Sequence, residues 1–157
     1  MNANDLFAAA PELMKKWTAT SLAVASSLEP SLVNLVEIRA SQINGCANCL
    51  NMHTQDARAK GETEQRIYLL SAWREAPCYT ERERAALGWT DALTRIAQDH
   101  EAIESARDDL WAHFTHEEQV KLTLMINIIN GWNRIAVGFG QFVDPAEAKS
   151  AAAKAAA

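Results

Sequence analysis

The spacing of apolar residues predicts a chain that is helical almost throughout. Apolar side chains recur at intervals of three or four residues, the period of an α-helix that buries one face. This pattern predicts helices over 5–27, 31–43, 46–60, 63–74, 81–98, 99–113 and 116–142. No segment shows the alternation typical of a strand, so we predict an all-α fold, a single-domain bundle of about six to seven helices.

Local signals set several helix boundaries. Pro11 suits the first turn of a helix but not its interior, so the first region is expected to break or restart there. Thr80 and Thr115 each stand three residues before a glutamate, the pattern of a capping box, and each is expected to open a helix. The sequence Asp144-Pro145 is expected to end the last helix.

The last predicted helix, 116–142, is apolar on nearly every side. A helix of this kind lies at the centre of a core, or it divides its surface between the core and a subunit interface. Trp132 and Asn133 lie midway along it. An aromatic and a polar side chain at such a position are candidates for lining a pocket.

Length and charge narrow the class of protein. The 157 residues suffice for one domain with a sizeable core, predicted to span 1–144 and to be followed by an Ala-rich tail at 145–157. The net charge of −5, without a cluster of Lys and Arg, argues against a nucleic-acid partner. No apolar run reaches the ~20 residues that cross a bilayer, and the N-terminus lacks the basic region of a signal peptide. We therefore expect a cytoplasmic protein with no membrane partner.

The chemistry of the chain is concentrated in a Cys-x-x-Cys-x-x-x-His sequence formed by Cys46, Cys49 and His53. On a helix these side chains share one face, with His53 one turn beyond Cys49. The turn signal Asn44-Gly45 predicts that Cys46 lies in the first turn of a new helix, where the helix dipole favours a thiolate. Two close thiols in a chain with an odd cysteine count indicate redox or metal chemistry rather than a disulfide scaffold.

One interpretation of this motif is a thiol peroxidase. His53 can take the proton of Cys49, and the thiolate can attack a peroxide to give a sulfenic acid. Cys46 can then condense with it, because Cα atoms three residues apart on a helix are about 5 Å from each other, within the range of a disulfide. Glu37 lies in an apolar stripe of the preceding helix, and it could hold the imidazole if the Asn44-Gly45 turn folds the two helices together.

Two other interpretations of the same residues stay open. Cys46, Cys49 and His53 could ligate a metal, although no second ligand pair follows at the spacing typical of structural zinc. They could also be small core residues without a reaction, with Glu37 a partly exposed helix carboxylate. We predict no metal and no cofactor. The remaining candidates are expected to be solvated or structural: His100, His113, His116 and Cys78.

The residues around the motif resemble the carboxymuconolactone decarboxylase-like superfamily, and more narrowly its alkylhydroperoxidase D-like core. The resemblance rests on Glu37, the run Ser41-Gln42-Ile43-Asn44-Gly45-Cys46-Ala47-Asn48-Cys49 and the run Met52-His53-Thr54. Further similar segments extend it over 30–140, the expected core of the domain. These segments are Gly61-Glu62, Ala72-Trp73-Arg74, Glu81-Arg82-Glu83-Arg84-Ala85-Ala86-Leu87 and Asn130-Gly131-Trp132-Asn133-Arg134.

This resemblance implies an all-α homo-oligomer, often a trimer or hexamer, that reduces hydroperoxides with electrons from an external dithiol. It implies that Cys49 attacks, that Cys46 resolves the sulfenic acid into a redox-active disulfide, and that His53 and Glu37 relay the proton. The helix dipole favours Cys46 as the attacking thiol instead, whereas the neighbouring His53 favours Cys49. The alternatives are a metal-binding or redox-sensing scaffold without enzymatic activity, and a decarboxylase of the kind that names the superfamily.

Overall fold

The computed structural model describes residues 3–142, and within them the chain forms eight α-helices and one 3-10 turn. The helices are α1 (Ala3–Ala9), α2 (Pro11–Ala25), α3 (Pro30–Asn44), α4 (Ala47–Ala59), α5 (Glu64–Leu69), α6 (Glu81–Thr94), α7 (Ala102–His113) and α8 (His116–Gly138). The 3-10 turn, Leu70–Ala72, follows α5. Because this part of the chain contains no strand, the predicted all-α fold is confirmed. The predicted Asp144-Pro145 stop and the tail at 145–157 lie outside the described residues.

Helix α3 lies at the centre of the molecule, because two of its faces are apolar. It packs against α4, α6 and α8. Leu35 and Ile38 belong to an apolar cluster around α5 and the 3-10 turn, whereas Val36 and Ala40 belong to a cluster built with α6, α7 and α8. All four side chains are fully buried. Any side chain that α3 presents to a pocket is therefore held by core packing on both sides.

The predicted capping boxes are present and start their helices where expected. Thr80 Oγ1 accepts the Glu83 N–H at 3.2 Å, and a Glu83 carboxylate oxygen accepts the Thr80 N–H at 2.8 Å. The box at Thr115 has the same form. These bonds satisfy N–H groups that a first helical turn leaves without partners. Pro11 likewise stands at the first position of α2, as its fixed φ favours.

The helix predicted over 63–74 is wrong in its second half, since α5 ends at Leu69 and a 3-10 turn follows. Arg84 of α6 binds the chain that follows the 3-10 turn. Its guanidinium donates to the carbonyl oxygens of Trp73 at 3.2 Å and Arg74 at 3.1 Å. These bonds satisfy backbone carbonyls of the irregular chain after the turn and hold it against α6.

Two other boundaries differ around the connection between α6 and α7. Helix α6 stops at Thr94 rather than at 98, and α7 begins at Ala102 rather than at 99. The Asp99 carboxylate accepts the Ala102 N–H at 3.2 Å, so it acts as an N-terminal cap placed before the helix. The segment 99–113 is rich in charged residues, and this composition does not show that Asp99 stands before the helix rather than inside it.

Helix α8 ends at Gly138, four residues before the predicted end at 142, because the chain reverses just after it. Gly140 adopts a left-handed φ of 61°, and the Gln141 N–H donates to the Ala136 carbonyl at 2.8 Å. This is the bond pattern of a glycine-terminated helix, in which the residue after glycine turns back over the last turn. Helix α8 is not buried on every side, since Val120 is exposed. No helix within residues 3–142 is long and apolar enough to span a bilayer.

A buried ion pair fixes α3 to α6. Asp91 accepts two bonds from the Arg39 guanidinium, at 2.6 and 2.9 Å, and one from Arg74 at 2.7 Å. Burial disfavours the ionised carboxylate, but the hydrogen bonds and charges of Arg39 and Arg74 outweigh it and hold the pKa of Asp91 below its ordinary value. The carboxylate is therefore ionised at neutral pH and joins the two central helices.

Candidate functional site

The two cysteines stand at a sharp corner between α3 and α4. Gly45 adopts a left-handed φ of 64°, and the Cys46 N–H donates to the Ser41 carbonyl at 3.0 Å, closing the end of α3. Cys46 is then the N-cap of α4, so the prediction that it lies in the first turn is wrong by one position. Its sulfur accepts the Cys49 N–H at 3.3 Å. Cys46 therefore belongs to the ends of both helices.

Cys46 and Cys49 are joined by a disulfide, with Cα atoms 5.3 Å apart. This separation agrees with the distance expected for residues one turn apart. Both side chains are almost fully buried, at 1% and 3% exposure. The predicted pairing geometry of the motif is thus present in the structure.

Glu37 and His53 form a pair beside the disulfide. Glu37 comes from α3 and His53 from α4, and the Glu37 carboxylate oxygen lies 3.1 Å from His53 Nδ1. The side chains are 16% and 11% exposed, so the pair is shielded but not sealed from solvent. The corner at Gly45 folds the two helices together, as the proposed contact required. With Nδ1 facing the carboxylate, the other ring nitrogen is left for a reacting group.

These residues open onto one cavity of about 360 Å³. We call its α3–α4 side, with Glu37, Cys49 and His53, the reactive wall. Cys46 is not among the lining residues. The lining is mainly apolar and contains no Lys or Arg. The other apolar lining residues are Phe7, Leu22, Ala25, Met52, Met125, Ile128, Trp132 and Ala136.

A second set of lining residues comes from α1, α2 and the chain after α8, and we call it the outer wall. Its members are Phe7, Thr18, Ser21, Leu22, Ala25 and Gln141. The Trp132 indole N–H donates to Ser21 Oγ at 3.0 Å, and the Trp17 ring stacks at a tilt on Trp132 with centroids 5.9 Å apart. A Cβ at Gly131 would stand 2.7 Å from the Trp17 ring. The missing side chain at Gly131 therefore lets α2 approach α8.

Of the two pocket candidates on the last helix, Trp132 lines the cavity and Asn133 does not. Asn133 is buried and supports the corner instead. The Asn44 amide donates to Asn133 Oδ1 at 2.8 Å and to Asn130 Oδ1 at 3.0 Å, and the Asn133 amide donates to Ser41 Oγ at 3.0 Å. This network ties the turn that carries Cys46 to α8.

The remaining candidates lie away from the cavity. His100, His113 and His116 are exposed, and Cys78 is a half-buried free thiol in the loop before α6. Among residues 3–142 there is no group of three or more His, Cys, Asp or Glu placed to hold a metal ion. The outer wall was missed by sequence reasoning. Its residues lie far from the cysteine motif in the chain, Thr18 before it and Gln141 well after it. The feature that brings α2 to the cavity is the contact between Trp17 and Gly131, which the structure reveals and the sequence does not.

Comparisons with known proteins bear on the family and the fold of the chain. Residues 11–92 match the sequence pattern of the carboxymuconolactone decarboxylase family. The chain is 43% identical over 131 residues to the uncharacterised protein YdfG of Bacillus subtilis, covering 81% of this chain and 82% of YdfG. It is 25% identical over 105 residues to the uncharacterised protein YnjA of Escherichia coli, covering 67% of this chain and 57% of YnjA.

Two solved structures have the same fold. One is ATU0492 of Agrobacterium tumefaciens, a protein of unknown function suggested to be an antioxidant defence protein AhpD. Its sequence is 49% identical and its TM-score is 0.83, and the match covers 88% of this chain and 97% of the ATU0492 chain. The debrominase Bmp8 in complex with 2,3,4-tribromopyrrole is 17% identical with a TM-score of 0.78, covering 89% of this chain and 75% of its own. At that identity Bmp8 supports the fold alone.

Proposed function

Because the chain belongs to the carboxymuconolactone decarboxylase family, we propose that it is an AhpD-like thiol peroxidase that reduces hydroperoxides through a Cys46–Cys49 dithiol/disulfide cycle. The observation that carries the proposal is the Glu37–His53 pair, 3.1 Å apart, in the same cavity wall as Cys49. A carboxylate, an imidazole and a thiol on one wall supply the base and the nucleophile of such a reaction. The likeness to ATU0492 supports the same conclusion.

In the first step, His53 takes the proton of the reduced Cys49 thiol while Glu37 holds the imidazole. The Cys49 thiolate attacks the outer peroxide oxygen, the O–O bond breaks, and the thiol becomes a sulfenic acid. The departing alkoxide receives the proton from His53 and leaves as an alcohol. The thiol is oxidised by two electrons and the peroxide is reduced by two.

In the second step, the Cys46 sulfur attacks the Cys49 sulfenic acid, and water leaves as the disulfide forms. The Cα separation of 5.3 Å lies within the range that a disulfide requires. An external dithiol then returns two electrons and two protons, becomes a disulfide itself, and regenerates both thiols. The cycle needs no metal or cofactor.

We assign the attack to Cys49 and the resolving role to Cys46. Cys49 lines the cavity with His53, whereas Cys46 does not. Cys46 Sγ accepts the Cys49 N–H at the N-terminus of α4. This hydrogen bond and the helix dipole favour a thiolate at Cys46. Such a thiolate suits the second step, because it attacks the adjacent sulfenic acid without meeting the peroxide.

We further propose that the protein is a homo-oligomer, a trimer or hexamer. An apolar groove between α7 and α8, lined by Trp89, Trp111, Val120 and Leu124, supports an interface there. Trp111 is 58% exposed, an unusual state for such a large apolar side chain. Sedimentation of the reduced protein measures the oligomer, and a monomer at micromolar concentration would refute this part.

The test of the activity is a thiol count after one equivalent of cumene hydroperoxide. The reduced protein should lose two of three thiols and release one equivalent of alcohol. Cys46→Ser should stop at a sulfenic acid on Cys49, which dimedone traps. Cys49→Ser should fall to the background rate and keep both remaining thiols. A Cys49→Ser variant that reacts at the wild-type rate would overturn the proposal.

Glu37→Gln tests the positioning residue. It should slow the first step by about 10- to 100-fold, less than the ~10²–10⁴ that a general base itself contributes. Condensation of the sulfenic acid should keep its rate, because Glu37 has no part in it. Glu12→Gln, which removes an exposed carboxylate from α2, is the control. Equal first-step rates for Glu37→Gln and wild type would exclude the relay.

A further inference from the structure

A buried amide of α8, Asn133, is bound to the last turn of α3, just before the corner that carries Cys46. Asn133 is 1% exposed. Its Oδ1 accepts the Asn44 amide N–H at 2.8 Å, and its Nδ2 donates to Ser41 Oγ at 3.0 Å. The oxygen and the nitrogen of this one side chain therefore both hold the end of α3 to α8.

Ser41 connects this amide to the resolving thiol. The Ser41 carbonyl accepts the Cys46 N–H at 3.0 Å, and the Ser41 hydroxyl donates to the Glu37 carbonyl at 2.7 Å. Asn44 is the last residue of α3. Asn133 thus binds the two residues of α3 from which the position of Cys46 follows.

The corner itself does not fix its own conformation. Gly45 adopts a φ of 64°, and a glycine takes either sign of φ at little cost. A Cβ at Gly45 would meet no atom of residues 3–142 within 4 Å, so packing at this residue does not hold the turn either. In the oxidised protein the bond between Cys46 and Cys49 closes the corner. The hydrogen bonds of Asn133 involve no sulfur, so they can hold the corner after reduction as well.

Two constraints on one conformation favour each other. Hydrogen bonds that keep Cys46 beside Cys49 raise the effective concentration of one thiol at the other. By linkage, whatever stabilises the closed corner stabilises the disulfide by the same factor. Ala136, three residues after Asn133 in α8, packs with both cysteines, so α8 supports the pair directly and through Asn133.

We propose that Asn133 is a positioning residue that sets the redox equilibrium of the Cys46–Cys49 pair. It acts through Ser41 and Asn44, and it holds the reduced Cys46 within reach of Cys49. Where the proposed peroxidase function holds, on which only the kinetic part of this inference rests, Asn133 also speeds the condensation of the sulfenic acid. The equilibrium is a property of the dithiol, so it is measured without peroxide.

The equilibrium test uses dithiothreitol, which gives two electrons and two protons to the disulfide and closes into its own cyclic disulfide. The oxidised fraction of the protein is read by alkylation and mass spectrometry over a series of ratios of reduced to oxidised dithiothreitol. Asn133→Ala should be reduced about tenfold more readily than wild type, as the loss of one or two hydrogen bonds would give. This factor is a rise of about 30 mV in reduction potential. An unchanged or lowered potential would overturn the proposal.

Two further variants separate positioning from a general loss of stability. Ser41→Ala removes the hydroxyl that accepts from Asn133 and keeps the carbonyl that accepts the Cys46 N–H, so the potential should rise by a smaller amount. It decides the question if Asn133→Ala does not fold. Asn34→Ala is the matched control, because Asn34 is also buried in α3 but its Oδ1 accepts from Lys60 Nζ at 3.4 Å. This control should lose stability and keep the wild-type potential, and an equal shift in it would refute the role of Asn133.

The kinetic test separates the two steps with one equivalent of cumene hydroperoxide. In Asn133→Ala, alcohol release should keep the wild-type rate, whereas disulfide formation should slow about tenfold and leave more Cys49 sulfenic acid for dimedone to trap. If the potential shifts but no hydroperoxide is reduced, the proposed function fails and the inference stands. If hydroperoxide is reduced through the dithiol while the potential and the rate of disulfide formation match wild type, the inference fails and the proposed function stands.

Discussion

The two walls of the cavity are built in different ways. The reactive wall belongs to α3 and α4, and α3 carries fully buried side chains on two faces and the Arg39–Asp91 ion pair. The outer wall belongs largely to α2, whose only buried residue is Met14. Leu13 and Leu22 on that helix are 69% and 64% exposed. Glu37 is thus held by the core through α3, and the outer wall rests on the surface of α8.

This difference separates two tasks. Proton transfer requires atoms held within a fraction of an ångström, and the doubly packed α3 holds Glu37 in this way. Recognition of the organic part of a substrate depends on the shape and polarity of the outer wall. Because α2 buries fewer residues than α3, a substitution in the outer wall disturbs fewer packing contacts. Changes to the reactive wall should therefore cost stability and rate together, whereas changes to the outer wall should alter substrate preference at smaller cost.

The largest effect is expected from Asp91→Asn. The substitution leaves Arg39 buried without its counter-charge, and breaking a buried pair in this way costs about 3–5 kcal/mol. Urea denaturation measures the loss. Asp108→Asn, on the exposed side of α7, removes the same charge and should change stability by less than about 0.5 kcal/mol. Similar losses for the two variants would mean that α3 is not anchored at Asp91.

The pH dependence of that difference follows from the lowered pKa of Asp91. An Asp that is more acidic when folded contributes stability above its unfolded pKa of about 3.9, and this contribution is lost as the pH falls through the folded pKa. The gap in unfolding free energy between wild type and Asp91→Asn should therefore be constant from pH 5 to 7 and shrink below about pH 4. A gap that widens in acid would contradict the assignment.

An intermediate effect is expected from Gly131→Ala. The added methyl would stand 2.7 Å from the Trp17 ring, so the ring or α2 has to shift, at a cost of about 1–3 kcal/mol. Gly138→Ala in the same helix meets no atom within 4 Å and should be neutral or stabilising by up to about 1 kcal/mol. Thermal unfolding of the pair decides between them, and a Gly131→Ala variant as stable as Gly138→Ala would show that α2 is not seated on this glycine.

The smallest effect is expected from Ser21→Ala, which leaves the Trp132 indole N–H without its partner and should cost about 1 kcal/mol. Ser27→Ala is a matched control, because Ser27 is exposed and bonds only to the Val24 carbonyl. Its effect should stay within about 0.5 kcal/mol. The cavity shape should change more than the fold in Ser21→Ala, so the rates with bulky and small hydroperoxides are compared alongside stability.

The sequence predicts the parts of this protein that depend on local chemistry. Pro11 and the capping boxes at Thr80 and Thr115 place helix starts, because each acts within four residues of itself. The cysteine motif predicts a shared helix face for the same reason. The contact between Glu37 and His53 was also within reach, since only one turn separates their helices.

Contacts between distant segments could not be predicted in this way. Asn133 was a candidate for the cavity, but it bonds to Asn44 and Ser41 of α3, and nothing local distinguishes the two roles. The outer wall depends on Trp17 meeting Gly131, a contact between the first and last helical regions. The irregular chain after α5 is held by Arg84, a residue of the following helix. Such contacts leave no periodic signal, because they depend on tertiary geometry rather than on spacing.

The cavity receives residues from both ends of the described chain, Phe7 in α1 and Gln141 after α8. For protein engineering, this means that shortening the described chain from either side removes cavity lining: loss of α1 removes Phe7, and loss of the segment after α8 removes Gln141. The connection 95–101 between α6 and α7 lies outside the cavity lining, so it is the better position for new termini or a label.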